Sequence, residues 1–211
     1  MRWIDRREAG NQLAEKLKPY DGTGVVCALP RGGVETGAAV AEVLRVPLST
    51  ISVRKIGHPL DPEYAVGAVT AAGSAVWNEH EVATLDTAWR EHALSKARSE
   101  AKRLQKLYHD GRPPVRTRNQ VVIVVDDGMA TGLTMQAAVI SLRRSHPKMI
   151  LAAAPVASRE AVDKLKEIAD EIITVENPDK FAGNVGVYYD IFPQLTDDDV
   201  MTVLDEAAEF S

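Results

Sequence analysis

Cysteine is almost absent: Cys27 is the only one among 211 residues. No internal disulfide can form, and a reducing compartment is expected. Cys27 sits in an apolar run with no histidine near it in sequence, which marks it as a small buried hydrophobe rather than a nucleophile. Long hydrophobic runs are missing too. The longest, 121–125 and 150–156, fall far short of the ~20 residues a membrane helix needs. Residues 1–6 hold no apolar signal-like core, so cytoplasmic residence is the expectation. Positive charge is not in excess: 25 Lys and Arg against 30 Asp and Glu give −5. That argues against general affinity for nucleic acid or an anionic membrane, while leaving room for a local cationic pocket that takes a phosphorylated small molecule. A Gly-x-Ser-x-Gly elbow, a ligand-spaced histidine cluster, a Gly-x-Gly-x-x-Gly turn and an internal repeat are all lacking.

What is present is an ordinary globular balance, 45% apolar and 26% charged, at a length that suits one domain of 1–211. The pattern alternates. A helix is expected over 5–17, where Ala9, Leu13 and Leu17 recur every four residues. A buried strand over 24–29 leads through a turn at 30–33 into a helix over 34–44. Next come a strand over 48–53, an irregular stretch over 54–63, and hairpin arms at 64–70 and 74–77. One long helix is expected over 79–108, with a single apolar stripe from Leu85 to Tyr108. It ends at the break 110–114, where Pro113 and Pro114 stand. Residues 119–125, 149–155 and 171–175 read as strands. Residues 132–144, 158–168 and 197–208 read as helices, and 178–193 as irregular. Strand–helix alternation of this kind gives an α/β fold: a mainly parallel sheet flanked by helices, here with a helical insertion at about 79–118.

The most informative segment follows the apolar run Val121–Val125: Asp126-Asp127-Gly128-Met129-Ala130-Thr131-Gly132-Leu133-Thr134. Ligand sites of open α/β sheets lie beyond the carboxyl ends of strands. Backbone N–H groups at a helix start can cradle a phosphate, and the Thr131 and Thr134 hydroxyls add donors. Two adjacent carboxylates suit neighbouring hydroxyls, or an indirect hold on a divalent cation. The bland alternative is a strand-end pair that merely caps a helix.

The string resembles the diphosphosugar-binding signature of the type I phosphoribosyltransferases. The resemblance extends over roughly 20–190, and is best to small bacterial and archaeal phosphoribosyltransferase-like proteins of undefined acceptor. It implies that fold, with a small C-terminal hood at about 176–195 joined by the N-terminal segment. It implies Mg²⁺-dependent transfer of 5-phosphoribosyl from 5-phosphoribosyl 1-diphosphate to a nitrogenous base, a purine among the candidates, with release of diphosphate. Asp126 and Asp127 would hold the ribose and be the metal candidates. Gly128, Met129, Ala130, Thr131, Gly132, Leu133 and Thr134 would surround the 5-phosphate. Gly128 departs from the aliphatic residue or serine of many members.

Two further stretches fit the resemblance. Pro30-Arg31-Gly32-Gly33 resembles the diphosphate loop, with Arg31 offering its fork and a strained or cis peptide expected nearby; an ordinary turn is the alternative. Arg54 and Lys55, read as a strand end, would contact the diphosphate, or else be a solvated pair. Glu63 is a candidate contact to a metal-bound water. A closing loop would lie between 67 and 119. There Arg90, Lys96, Arg98, Lys102, Arg103, Arg112 and Arg116 read more naturally as a solvated surface. Val156, Tyr188, Tyr189 and Asp190 resemble the region near the base pocket, with core packing as the plainer reading. A homodimer is expected by analogy. Two competing functions remain open: a non-catalytic regulator that binds a nucleotide or phosphoribosyl compound, and a Mg²⁺-dependent phosphohydrolase.

Overall fold

Five consecutive β-branched residues with no side chain exposed can only be a strand covered on both faces. Val121–Val125 is that strand, and it lies at the centre of the main sheet. The computed structural model describes residues 2–112 and 115–208, and for Glu63 the backbone alone. Chain order gives α1 (Arg6–Leu17), β1 (Val25–Ala28), α2 (Gly32–Leu44), β2 (Leu48–Thr50), β3 (Val53–His58), β4 (Asp61–Thr70) and β5 (Ala75–Trp77). There follow α3 (Glu79–Val82), α4 (Thr87–His109), β6 (Val121–Val125), α5 (Leu133–Arg143), β7 (Met149–Val156), α6 (Arg159–Leu165), β8 (Glu171–Glu176) and α7 (Asp197–Ala208).

Among the described residues the main sheet has five parallel strands in the order β2-β1-β6-β7-β8. Side chains alternate between its faces. Val26, Ile123, Val125, Leu151 and Ala153 pack under α1 and α2, through Leu13, Leu17, Val40 and Leu44. Val25, Cys27, Val122, Val124, Ile150 and Ala152 pack against α5 and α6, through Met135, Ala138, Val139, Ala161 and Leu165. Cys27 is 3% exposed, and burial pushes its thiol up to about 12, so it is a packing residue.

The order places the topological switch point between β1 and β6, where chain progression reverses direction across the sheet. Ala28 pairs with Val125, so the loops that follow these two strands emerge side by side. Leu29 extends the contact, its N–H donating to the Val125 carbonyl at 2.8 Å. Register alone therefore brings 30–33 against 126–132.

The excursion between β2 and β6 corrects three expectations. The strand expected over 48–53 is two strands in different sheets, separated by Ile51 and Ser52. The stretch 54–63 is not irregular. It forms β3 and the start of β4, an antiparallel pair whose register shifts beside Gly57 hide the hairpin from a simple period-two reading. The long helix is broken at 83–86, where Asp86 caps α4 by accepting the Trp89 N–H. The stripe along α4 also has two partners. Trp89, Ala93 and Ala97 lie on the small sheet with Ile56, Val66 and Val69. Leu104 and Tyr108 instead pack with Ala28, Val34, Val200 and Leu204, joining α4 to α7. The break expected at Pro113 and Pro114 falls outside the described residues.

Candidate functional site

At the carboxyl edge of β6, the Asp126 and Asp127 carboxyls lie against Gly33 and Gly32 of the facing loop. The Asp127 N–H donates to Asp126 Oδ1 at 2.9 Å. Burial raises the Asp126 carboxyl well above the usual range, and the neighbouring Asp127 charge adds to it. Burial raises Asp127 as well, but there the Arg6 guanidinium opposes the shift. The pair thus divides the work: the proton favours Asp126 and the charge favours Asp127.

Gly32 and Gly33 close the other side. A Cβ on Gly32 would overlap the Asp127 carboxylate, and one on Gly33 would come within 2.9 Å of Asp126 Cα. The glycines are therefore needed because the two loops touch. The Pro30–Arg31 peptide is cis. Arg31 precedes α2, and its guanidinium turns toward α7, 3.9 Å from Asp197. Asp197 also accepts from Arg103 at 2.7 Å and from the Tyr108 hydroxyl at 2.8 Å. Burial works against its charge, yet these bonds hold its carboxyl below the usual range.

The loop after the acidic pair is pinned before it opens. Met129 donates its N–H to Val156 at 2.9 Å, and its own carbonyl accepts from Ser158. The Ser158 hydroxyl donates to the Ala130 carbonyl at 2.5 Å and caps α6 by accepting from Ala161. This corrects one expectation: the Met129 N–H is engaged within the protein and does not point at a phosphate. The side chains of Met129 and Leu133, each 2% exposed, are core. Gly128 lies against Val185. At Gly132 the backbone is left-handed, φ 72°, immediately before α5, and an added Cβ would meet Ala161 at 2.9 Å. The first turn of α5 then presents N–H groups that have no acceptor within the helix, beside the half-buried Thr131 and Thr134.

Other expected residues are not where the sequence suggested. Arg54 and Lys55 lie within β3, opposite Val69 and Ala68, and not after a parallel strand. Arg103 first, and Arg54 after it, hold the Glu100 carboxyl of α4 down. Val156, fully buried, packs with Trp3, Ala9 and Tyr189. Tyr189, 1% exposed, lies between Trp3 and Phe192, with ring centroids at 5.5 and 4.7 Å. Its hydroxyl donates to the Asp127 carbonyl at 2.5 Å. Neither Val156 nor Tyr189 offers a surface to a base; both are packing residues. Tyr188 is partly exposed, accepts from the Ala182 N–H and tilts against Phe181. Asp190 is exposed and pairs with Arg2 at 2.8 Å. The Glu63 side chain lies outside the described residues.

The residue that sequence reasoning missed is Arg6. It is 4% exposed, and its Nε meets Asp127 Oδ2 at 2.8 Å. One signal was available: Arg6 is three residues before Ala9, on the apolar stripe of α1 with Leu13 and Leu17. A charge on a buried stripe needs a buried partner. Trp3 was also missed. It joins the hood through backbone bonds with Tyr188 and Asp190.

The sequence matches the family described as "Phosphoribosyl transferase domain" over residues 7–191. The chain belongs to the phosphoribosyl transferase family. It is 39% identical to TT1426 of Thermus thermophilus, with a TM-score of 0.79, covering 98% of this chain and 99% of that one. It is 36% identical over 206 residues to the Mycobacterium tuberculosis protein named "Putative phosphoribosyl transferase Rv0571c", and equally to that named MT0597 from a second strain. These matches cover 96% of this chain but 46% of each relative, so the phosphoribosyl transferase chain described here spans about half the length of those relatives. Among its described residues no helix is long and apolar enough to cross a membrane.

Proposed function

We propose that the chain transfers the 5-phosphoribosyl group of 5-phosphoribosyl 1-diphosphate to a ring or amino nitrogen of a base, releasing diphosphate. The observation that carries this reading is the meeting of two loops at the switch point. One brings a half-buried carboxylate pair and an open helix start, and the other packs Gly32 and Gly33 directly against that pair. The carboxylates accept from the ribose hydroxyls. The start of α5, with Thr131 and Thr134, anchors the 5-phosphate and so fixes the reacting carbon. The bond between that carbon and the diphosphate oxygen breaks, and its electron pair leaves with diphosphate. The nitrogen lone pair forms the new bond, and the nitrogen releases its proton. No side-chain nucleophile takes part.

The charge balance bears on the cation. Asp127 and Glu35 share Arg6, and Asp126 stands beside them, so the carboxyls here outnumber the arginine they share. Among the described residues no group of three or more His, Cys, Asp or Glu can form a metal cage. The oxygen-only donors of Asp126 and Asp127 fit Mg²⁺, and these two residues would be its protein contacts. When bound, it supplies positive charge to the leaving diphosphate. Arg31 can add its fork once it leaves Asp197. In the hood, Tyr188 and Asp190 are the expected residues that keep exposed surface toward an acceptor.

The test is a panel of nucleobases with 5-phosphoribosyl 1-diphosphate and Mg²⁺, with diphosphate release as the readout. Release that requires protein, base and Mg²⁺ together supports transfer. Base-independent release of phosphate marks a hydrolase, and saturable binding without any release marks a regulator. Either result overturns the proposal.

A further inference from the structure

Arg6 makes four contacts, which reach three parts of the chain. Its Nε donates to Asp127 Oδ2 at 2.8 Å, after β6. Its Nη1 donates to the Pro193 carbonyl at 2.9 Å, in the hood. Its guanidinium carbon lies over the Phe192 ring, 3.8 Å from the ring centre. Its Nη1 is 3.6 Å from Glu35 in the first turn of α2. A guanidinium this deeply buried is strongly disfavoured unless it is paired and hydrogen-bonded, and here it donates to Asp127 and Pro193 with the Glu35 carboxyl nearby. Lysine cannot copy the arrangement, because one ammonium does not cover a ring while donating along two fixed lines. The surroundings are shaped to it: a Cβ on Gly32 would come within 2.9 Å of Arg6 Nε as well as overlapping Asp127.

We infer that Arg6 is a positioning residue that fixes the Asp127 carboxylate for the sugar and ties it mechanically to the hood. This rests on the reading that the acidic pair takes the ribose. Arg6 itself has almost no exposed surface, so it acts through Asp127 and touches no substrate. With Oδ2 held by Arg6, Asp127 presents its other oxygen in one orientation. Because the same guanidinium holds Phe192 and Pro193, displacement of the hood disturbs that orientation. The 5-phosphate end has no contact with Arg6 and is served by the start of α5. Sugar affinity therefore depends on Arg6, and phosphate affinity does not.

The experiment compares the full chain with Arg6→Met and Arg6→Lys. Titration calorimetry measures binding of 5-phosphoribosyl 1-diphosphate with Mg²⁺, of ribose 5-phosphate, and of inorganic phosphate. In Arg6→Met, affinity for both sugar phosphates is expected to fall at least 30-fold, while affinity for inorganic phosphate changes less than threefold. Arg6→Lys, which keeps the charge but not the fork, is expected to lose at least tenfold, and carries the same comparison if Arg6→Met fails to fold. In an Asp127→Asn background the Arg6→Met loss is expected to shrink below threefold. Sugar-phosphate affinity that is unchanged in both variants overturns the inference. So does an equal loss for inorganic phosphate, which would mean general unfolding of the site. If the parent chain binds neither sugar phosphate, the ribose reading itself fails. Hydrogen exchange then decides the mechanical part: faster exchange at both 126–130 and 188–193 in the variants supports the tie, and unchanged exchange at either segment overturns it.

Discussion

The two sides of the acidic pair are built in opposite ways. On one side, the loop from Asp126 to Gly132 comes from consecutive residues. Backbone bonds from Met129 to Val156 and from Ser158 to Met129 hold it, and it keeps two poorly solvated carboxyls together. On the other side, the hood joins Trp3 and Arg6 to Tyr189 and Phe192 from the far end of the chain, and aromatic packing holds it. The loop concentrates unfavourable charge where a ligand's hydroxyls or a cation can relieve it. The hood buries apolar rings and contributes stability. The Arg6–Asp127 ion pair joins the two sides, together with the Tyr189 hydroxyl on the Asp127 carbonyl and the contact of Gly128 with Val185.

Three measurements test this contrast. The largest effect is expected in the hood. Tyr189→Ala removes a buried ring and a hydroxyl bonded to the Asp127 carbonyl. It should lower the unfolding free energy by about 3–5 kcal/mol in urea denaturation. A loss below ~1 kcal/mol would show that the hood is peripheral to stability.

Gly32→Ala strikes the junction of the two sides. Its Cβ overlaps the Asp127 carboxylate, so either the carboxylate or the loop must shift. The expected destabilisation is about 1–3 kcal/mol, as for overpacking. On the proposed function, affinity for 5-phosphoribosyl 1-diphosphate should fall more steeply than that. Unchanged affinity would show that the two loops do not act as one site.

The smallest effect has the opposite sign. The Asp126 carboxyl is raised in the folded protein. The folded chain therefore favours the protonated form, and stability is lost as pH rises from the ordinary carboxylate value of 3.8 through the raised one. Asp126→Asn escapes that loss. It should stabilise the protein at neutral pH by about 1 kcal/mol, roughly 2–4 °C in Tm, with the gain vanishing below the ordinary carboxylate range. Thermal melts across pH check this. A gain that persists in acid would point to a packing effect instead.

The legible parts of the sequence were the local ones. The run Val121–Val125 announced a central strand because β-branched residues without a polar face need cover on both sides. The acidic pair and the small residues after it stand together, so their joint presence could be read at once. The strand at β3 was not legible, because Gly57 and two prolines interrupt its alternation with β4. The break at 83–86 was hidden because the apolar stripe already begins at Leu85, inside it. Tyr189 looked like a ligand residue because an aromatic ring in a loop does not disclose which of its faces is covered. Only the packing of Trp3 and Phe192 showed it.

The amino-acid order by itself determined the alternating elements, the parallel sheet and the position of the acidic pair at a strand end. These follow from periodicities of two to four residues and from the rule that open α/β sheets keep ligands at their carboxyl edge. The tertiary structure alone decided that Gly32 lies against Asp127, that Arg31 turns to Asp197, and that Arg6 is the partner of the pair, 121 positions away. Such contacts depend on strand register and on where the chain ends return. No local spacing encodes them.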